Sequence, residues 1–102
     1  MKLSREAEGL KKRIMAEYDL AGDPAALLIL QTAMEAFCRM RQAQEAIQKH
    51  GVIYLDRYQQ PKANPAVAAE RDSRAAMLAA LKQLNLDVEI IPNPGPGRPP
   101  GR

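Results

Sequence analysis

From Ala25 to His50 the chain runs without a glycine or a proline, and both ends of that run carry helix punctuation. Asp23 offers a carboxylate to the orphan N–H groups of a first turn, and Pro24 follows where a missing N–H is no loss. At the other end, Lys49 and His50 lie where the helix dipole favours positive charge, and Gly51 suits a left-handed terminus. One helix over 23–50 is therefore expected. At about 1.5 Å per residue it is roughly 40 Å long, and the rest of the chain must be arranged around it.

This helix carries a stripe at Ala26, Leu30, Ala33, Phe37, Met40, Gln44 and Ile47, widened by Leu27, Met34 and Ala43. The steps alternate four and three, as in a packed seam, so Phe and Met here read as core. Gln31, Glu35, Arg39, Gln42, Glu45 and Lys49 fall on the other side and are expected to be wet. Leu28 and Ile29 break that division. They point to a second contact surface near the helix start and are the first candidates for contact between copies of the chain.

The second expected long helix begins at Asn64-Pro65, which repeats the grammar of Asp23-Pro24, and runs to about Leu86. Its stripe of Ala66, Ala69, Ser73, Ala76, Ala80 and Leu84 is mostly small, flanked by Met77, Leu78 and Leu81, so two helix axes can approach closely. The connector 51–64 is short enough to make the two helices antiparallel. Within it, Val52-Ile53-Tyr54-Leu55 favours a short strand, Asp56-Arg57 a turn and Tyr58-Gln59-Gln60 a return, with Pro61 ending the ladder. Arg71 and Arg74 lie beside the stripe, where they either pair with Glu70, Asp72 or a neighbouring subunit, or contact DNA.

Ahead of the long helix, Ser4 can cap a first helix over Arg5 to Leu20, with Leu3, Ala7, Leu10, Ile14 and Tyr18 on one side. Lys11, Lys12 and Arg13 form a short basic run on it, read either as a solvated helix face or as a phosphate-contacting patch to which Lys2 and Arg5 add. Behind the second long helix, Val88-Glu89-Ile90-Ile91 can form a short strand or dock as an extended strip. Five of the eight prolines and three of the six glycines lie beyond residue 91, which rules out helix or sheet there and predicts a disordered tail ending in Arg98 and Arg102.

The chain is thus expected to be mainly α: a long antiparallel helical hairpin with a short N-terminal helix, a small β-hairpin-like connector and a disordered Pro/Gly-rich C-terminal tail. Residues 1–22 form the N-terminal segment, a candidate DNA-binding piece. Residues 23–87 form an oligomerisation core, and 88–102 an extended strip and tail. Aromatic content of 4% and a length of 102 residues make the core thin, which favours assembly of several copies. The net charge of +3 is weak, and residues 23–50 and 66–87 each balance at three basic and three acidic groups, so the excess lies in the N-terminal segment, the connector and the tail.

Chemistry is conspicuous by what is missing from the pattern. There is no Walker-type phosphate loop, and one Cys with one His cannot make a metal-ligand spacing. Cys38 and His50 are separated by three turns of one helix, too far to form a thiol–imidazole pair. No catalytic residue, cofactor or metal is expected. With no secretory signal and no transmembrane run, a soluble intracellular protein is expected.

The order of these pieces resembles the small subunit of phage DNA-packaging terminase, in the P27-like family. The residues that carry it are Asp23-Pro24-Ala25, Glu35-Ala36-Phe37-Cys38-Arg39-Met40-Arg41, His50-Gly51-Val52-Ile53, Asn64-Pro65-Ala66-Val67 and Glu70-Arg71-Asp72, ahead of Leu81 to Leu86. The resemblance covers about residues 3–87 and implies a non-enzymatic packaging factor in the host cytoplasm. Such a factor is a homo-oligomeric ring that binds double-stranded viral DNA at the packaging site and engages the large terminase subunit, which supplies the ATPase and nuclease. On that reading Lys2, Arg5, Lys11, Lys12, Arg13, Arg57 and Lys62 are the candidate DNA contacts. Leu28, Ile29, Arg71 and Arg74 are the candidate oligomer interface, and Val88, Ile90, Ile91, Arg98 and Arg102 the candidate partner-binding arm. The Pro/Gly ending departs from the polar ending usual in that family, and no helix-turn-helix is evident. The competing reading is a helical-hairpin oligomeric adaptor or scaffold without nucleic-acid binding.

Overall fold

A computed structural model of the chain describes residues 2–85. Three helices and one two-stranded ribbon follow in the order α1 (Arg5–Tyr18), α2 (Pro24–His50), β1 (Ile53–Leu55), β2 (Pro61–Ala63) and α3 (Pro65–Leu84). The expected class, a long helical hairpin with a short helix before it and a small ribbon at its tip, is the observed one. The expected strip and tail over 88–102, with Val88, Ile90, Ile91, Arg98 and Arg102, lie outside the described residues.

The helix boundaries follow from their caps. Ser4 Oγ accepts from Ala7 N at 3.2 Å, Asp23 Oδ1 from Ala26 N at 3.1 Å and Asn64 Oδ1 from Ala66 N at 2.9 Å. Gly51, at φ 83°, ends α2 with its N–H on Ile47 O. Asp19 and Asn85 close α1 and α3 in the left-handed region, which short polar side chains tolerate. α1 therefore stops at Tyr18, not Leu20, and Leu20 leaves the helix to enter the core. α3 likewise ends at Leu84 rather than Leu86.

α2 is central. Gln44 on its late part meets Glu70 on the early part of α3, and Leu28 and Ile29 share a groove with Ala76 to Gln83, so the two long helices are antiparallel. α1 docks antiparallel on another flank of α2: Ser4 bonds Cys38, Glu6 bonds Arg41 and Lys11 bonds Gln31. This docking explains why Ala36 and Cys38 are buried and why Gln31 and Glu35, expected to be wet, are half-covered. The core joins Leu3, Ala7, Leu20, Leu30, Met34, Phe37, Met40 and Leu84. Leu30 is its largest fully enclosed side chain. Leu30→Ala is expected to cost about 2–5 kcal/mol through lost transfer and a residual cavity. Urea unfolding followed by circular dichroism measures it, and a midpoint equal to the parent's refutes the placement.

The seam of α3 differs from expectation by a small rotation. Ala66, Glu70, Ser73, Met77, Ala80 and Leu84 face α2, whereas Ala69 and Ala76 are exposed. Glu70 is tolerated at a seam position because Gln44 Nε2 donates to it at 3.1 Å and Arg74 Nη2 at 2.8 Å. The ribbon also differs. β1 pairs antiparallel with β2 in the register Ile53↔Ala63, Tyr54↔Lys62, Leu55↔Pro61, so the return strand is 61–63 and not Tyr58-Gln59-Gln60. The cause is Asp56: its Oδ1 accepts from Tyr58 N at 2.8 Å and Gln60 N at 3.0 Å, its carbonyl accepts from Gln59 N, and Gln59 turns at φ 63°. That wider turn carries Pro61 to the first position of a strand, where a missing donor is harmless.

At the base of the ribbon one side chain joins three elements. Asn64 is buried, its Nδ2 donates to Gly51 O at 2.8 Å, its Oδ1 caps α3 and its N–H donates to Val52 O at 2.7 Å.

Candidate nucleic-acid interface

The candidate cations fall into two groups. Lys2, Arg5, Lys12 and Arg13 are exposed on or beside α1, and Arg57 and Lys62 are exposed on the ribbon. On α1, Arg5 and Lys12 are two turns apart on one face, about 10 Å along the axis. Lys11 behaves differently from its neighbours. It is half-covered and its Nζ donates to Gln31 Oε1 at 3.0 Å, while Gln31 Nε2 donates to Glu35 Oε2 at 3.1 Å. Lys11 thus helps to seat α1 on α2, and the freely presented cations of the basic run are Lys12 and Arg13.

Lys2 and Arg5 border a groove between the start of α1 and α2 that also meets Arg41. Arg41 is engaged there. Its Nε and Nη2 hold the two oxygens of Glu6 at 3.2 and 3.1 Å, and its guanidinium lies 5.0 Å from the Phe37 ring centre. This fork removes one acid from the field around Arg5 while adding little stability, because both partners are half-exposed. Arg57 lies over the Tyr58 ring at 5.3 Å, and Lys62 stands opposite Tyr54 in the ladder.

Of the residues proposed for contact between copies, Leu28 is 69% exposed and Ile29 half-covered. Arg74 pairs with Glu70 at 2.8 Å and Arg71 with Asp72 at 3.4 Å, the intrahelical pairing that the sequence left as one of two alternatives.

Sequence reasoning placed Arg57 and Lys62 on the ribbon as candidate DNA contacts but missed its apolar face. Ile53, 63% exposed, and Leu55, 58% exposed, stand opposite Ala63 and Pro61, which makes one face of the ribbon wholly apolar. Val52 and Tyr58 extend the apolar exposure. Period-two spacing of Ile53 and Leu55 is visible in the sequence, but the matching face of 61 and 63 depends on the register set by Asp56.

The ionisation of Glu70 is displaced downward by its partners. The Gln44 hydrogen bond, with Arg74 behind it, holds its carboxyl below the ordinary value of 4.5 against the opposing effect of burial. A lowered folded pKa means that the contribution is present above the unfolded value and is lost as pH falls through the folded one. Glu70→Gln should therefore flatten the fall of melting temperature below about pH 4.5. Parallel melting curves for the parent and the variant across pH 3–5 would refute this role.

Among the described residues no group of three or more His, Cys, Asp or Glu is placed to hold a metal ion, and no helix is long and apolar enough to cross a membrane. A family model described as phage terminase, small subunit, matches residues 12–89, well over half of the chain. The match is to that family as a whole, and the P27-like group stays an expectation. No curated protein and no solved structure gives a match.

Proposed function

Because the chain belongs to the phage terminase small-subunit family, and so to the machinery of viral genome packaging, we propose that it is the non-catalytic DNA-binding subunit of that machinery. In this reading several copies form a ring, the ring grips double-stranded viral DNA at the packaging site, and it hands that DNA to the large subunit with its ATPase and nuclease.

The observation that carries the reading is the family match, which runs from α1 through the whole of the helical hairpin. The surfaces support it. Exposed cations on α1 supply phosphate contacts that are weak in one subunit and add through avidity in a ring. The apolar face of the ribbon supplies a contact between copies, since an isolated two-stranded ribbon is marginal in water and gains by being covered. Leu28 and Ile29 are the second candidates for that contact. The tail beyond Pro92 would reach the large subunit.

The test is fluorescence anisotropy with a labelled DNA duplex at several salt concentrations, alongside light scattering. Binding that weakens steeply with salt, by an assembly larger than a dimer, supports the proposal. An assembly with no affinity for DNA at low salt favours the adaptor reading instead.

A further inference from the structure

The groove between the start of α1 and α2 encloses about 610 Å³, and its walls carry three cations, Lys2, Arg5 and Arg41, against two acids, Glu6 and Glu45. Arg41 comes from α2 and has three partners. Its Nη1 donates to Gln44 Oε1 at 2.8 Å, and its guanidinium carbon lies 5.0 Å from the Phe37 ring centre. The remaining edge, Nε with Nη2, meets both oxygens of Glu6 at 3.2 and 3.1 Å.

That edge presents two parallel N–H groups, which match a pair of oxygens on a carboxylate or on a phosphate. Glu6 therefore occupies the place that a phosphate takes on an arginine fork. Its hold is weak. The side chains of Arg41 and Glu6 are 50% and 53% exposed, so water and salt screen the pair and it contributes little. Glu6 stands in the first turn of α1, on a different helix from its partner, and can swing into water without moving Arg41. Gln44 and Phe37 keep the guanidinium in position when it does.

We propose that this groove is a phosphate subsite in which Arg41 is the ligand and Glu6 the internal competitor. In the free chain Glu6 fills the fork. A phosphate group displaces it, and Lys2 and Arg5 flank the incoming anion from the α1 side of the groove. The source of that phosphate, a backbone phosphodiester, rests on the DNA-binding reading above. The subsite extends the contact surface from α1 onto α2.

The experiment is a double-mutant cycle of Glu6→Gln and Arg41→Gln in the full chain, with circular dichroism checking the fold of each variant. Anisotropy titrations use a labelled duplex at three salt concentrations. Glu6→Gln is expected to tighten binding about twofold to fivefold for each subunit engaged, since no ion pair has to be broken first. Arg41→Gln should weaken binding and lower the salt slope by about 0.9 per subunit engaged. In the Arg41→Gln background the gain from Glu6→Gln should shrink to what the loss of one uncoupled charge gives. Equal gains in both backgrounds, with a parent-like salt slope in Arg41→Gln, overturn the inference and leave the DNA reading standing. A second probe separates the two. Pyrophosphate, with ionic strength matched by sodium chloride, should raise the melting temperature of Glu6→Gln more than that of the parent and leave Arg41→Gln unmoved. That pattern without duplex binding by any variant keeps the groove as a site for free phosphate and removes the DNA reading. No duplex binding, together with equal pyrophosphate shifts in all three proteins, overturns both.

Discussion

Replacing Arg5, Lys12 and Arg13 together by glutamate is expected to abolish DNA binding while leaving assembly size unchanged. These are the α1 cations that are free to meet phosphate, since Lys11 is held by Gln31. Each phosphate contact contributes about 0.9 to the slope of log affinity against log salt, so losing three lowers the slope by about 2.7 for every subunit engaged. Reversal adds repulsion to that loss, and the fall in affinity at moderate salt should exceed about a hundredfold. Lys11→Ala is the control: it should disturb the seating of α1 more than the DNA. Anisotropy titrations at three salt concentrations read all of this. Parent-like affinity in the triple variant would move the site to Arg57 and Lys62 on the ribbon.

Introducing Asp at both Ile53 and Leu55 should take the assembly apart. The face they share with Pro61 and Ala63 is left uncovered by the described residues. Repeated head-to-tail contacts close into a ring when the rotation permits, so each copy would carry two such substitutions into a contact. A penalty of about 4 kcal/mol per contact, ordinary for unpaired charge in a dry interface, raises the dissociation constant about a thousandfold. The helices should survive, because the α2–α3 seam and its core residues lie outside the ribbon. Light scattering and circular dichroism on the same sample separate the two effects. An unchanged particle mass with both aspartates present would remove the ribbon from the contact and return attention to Leu28 and Ile29.

What could be read from the sequence was whatever is encoded locally. Asp23-Pro24, Gly51 and Asn64-Pro65 mark helix ends by their own backbone chemistry, and they are where the structure has them. The family pattern is spread over those same markers. The seam of α3 was harder, because alanines at 66, 69, 76 and 80 offer two nearly equal small stripes. What selects one is Gln44, on another helix, satisfying Glu70. The ribbon was misregistered because a single carboxylate, Asp56, closes a wider turn than its neighbours suggest. The cations were all visible, but the distinction between Lys11 and Lys12 was not, since it depends on which flank of α2 receives α1. Exposure of the ribbon's apolar face followed from the register and was lost with it.

Asn64 has a mechanical consequence. Its side chain grips the carbonyl of Gly51, the cap of α2, and the first turn of α3, while its backbone closes the ladder on Val52. Both feet of the ribbon are therefore tied to one buried side chain, through Gly51 and Val52 on one side and Asn64 itself on the other. A load applied at the ribbon tip is not absorbed by a hinge. It arrives as torque on both long helices together, and through the seam at Glu70 it is carried down the length of the rod.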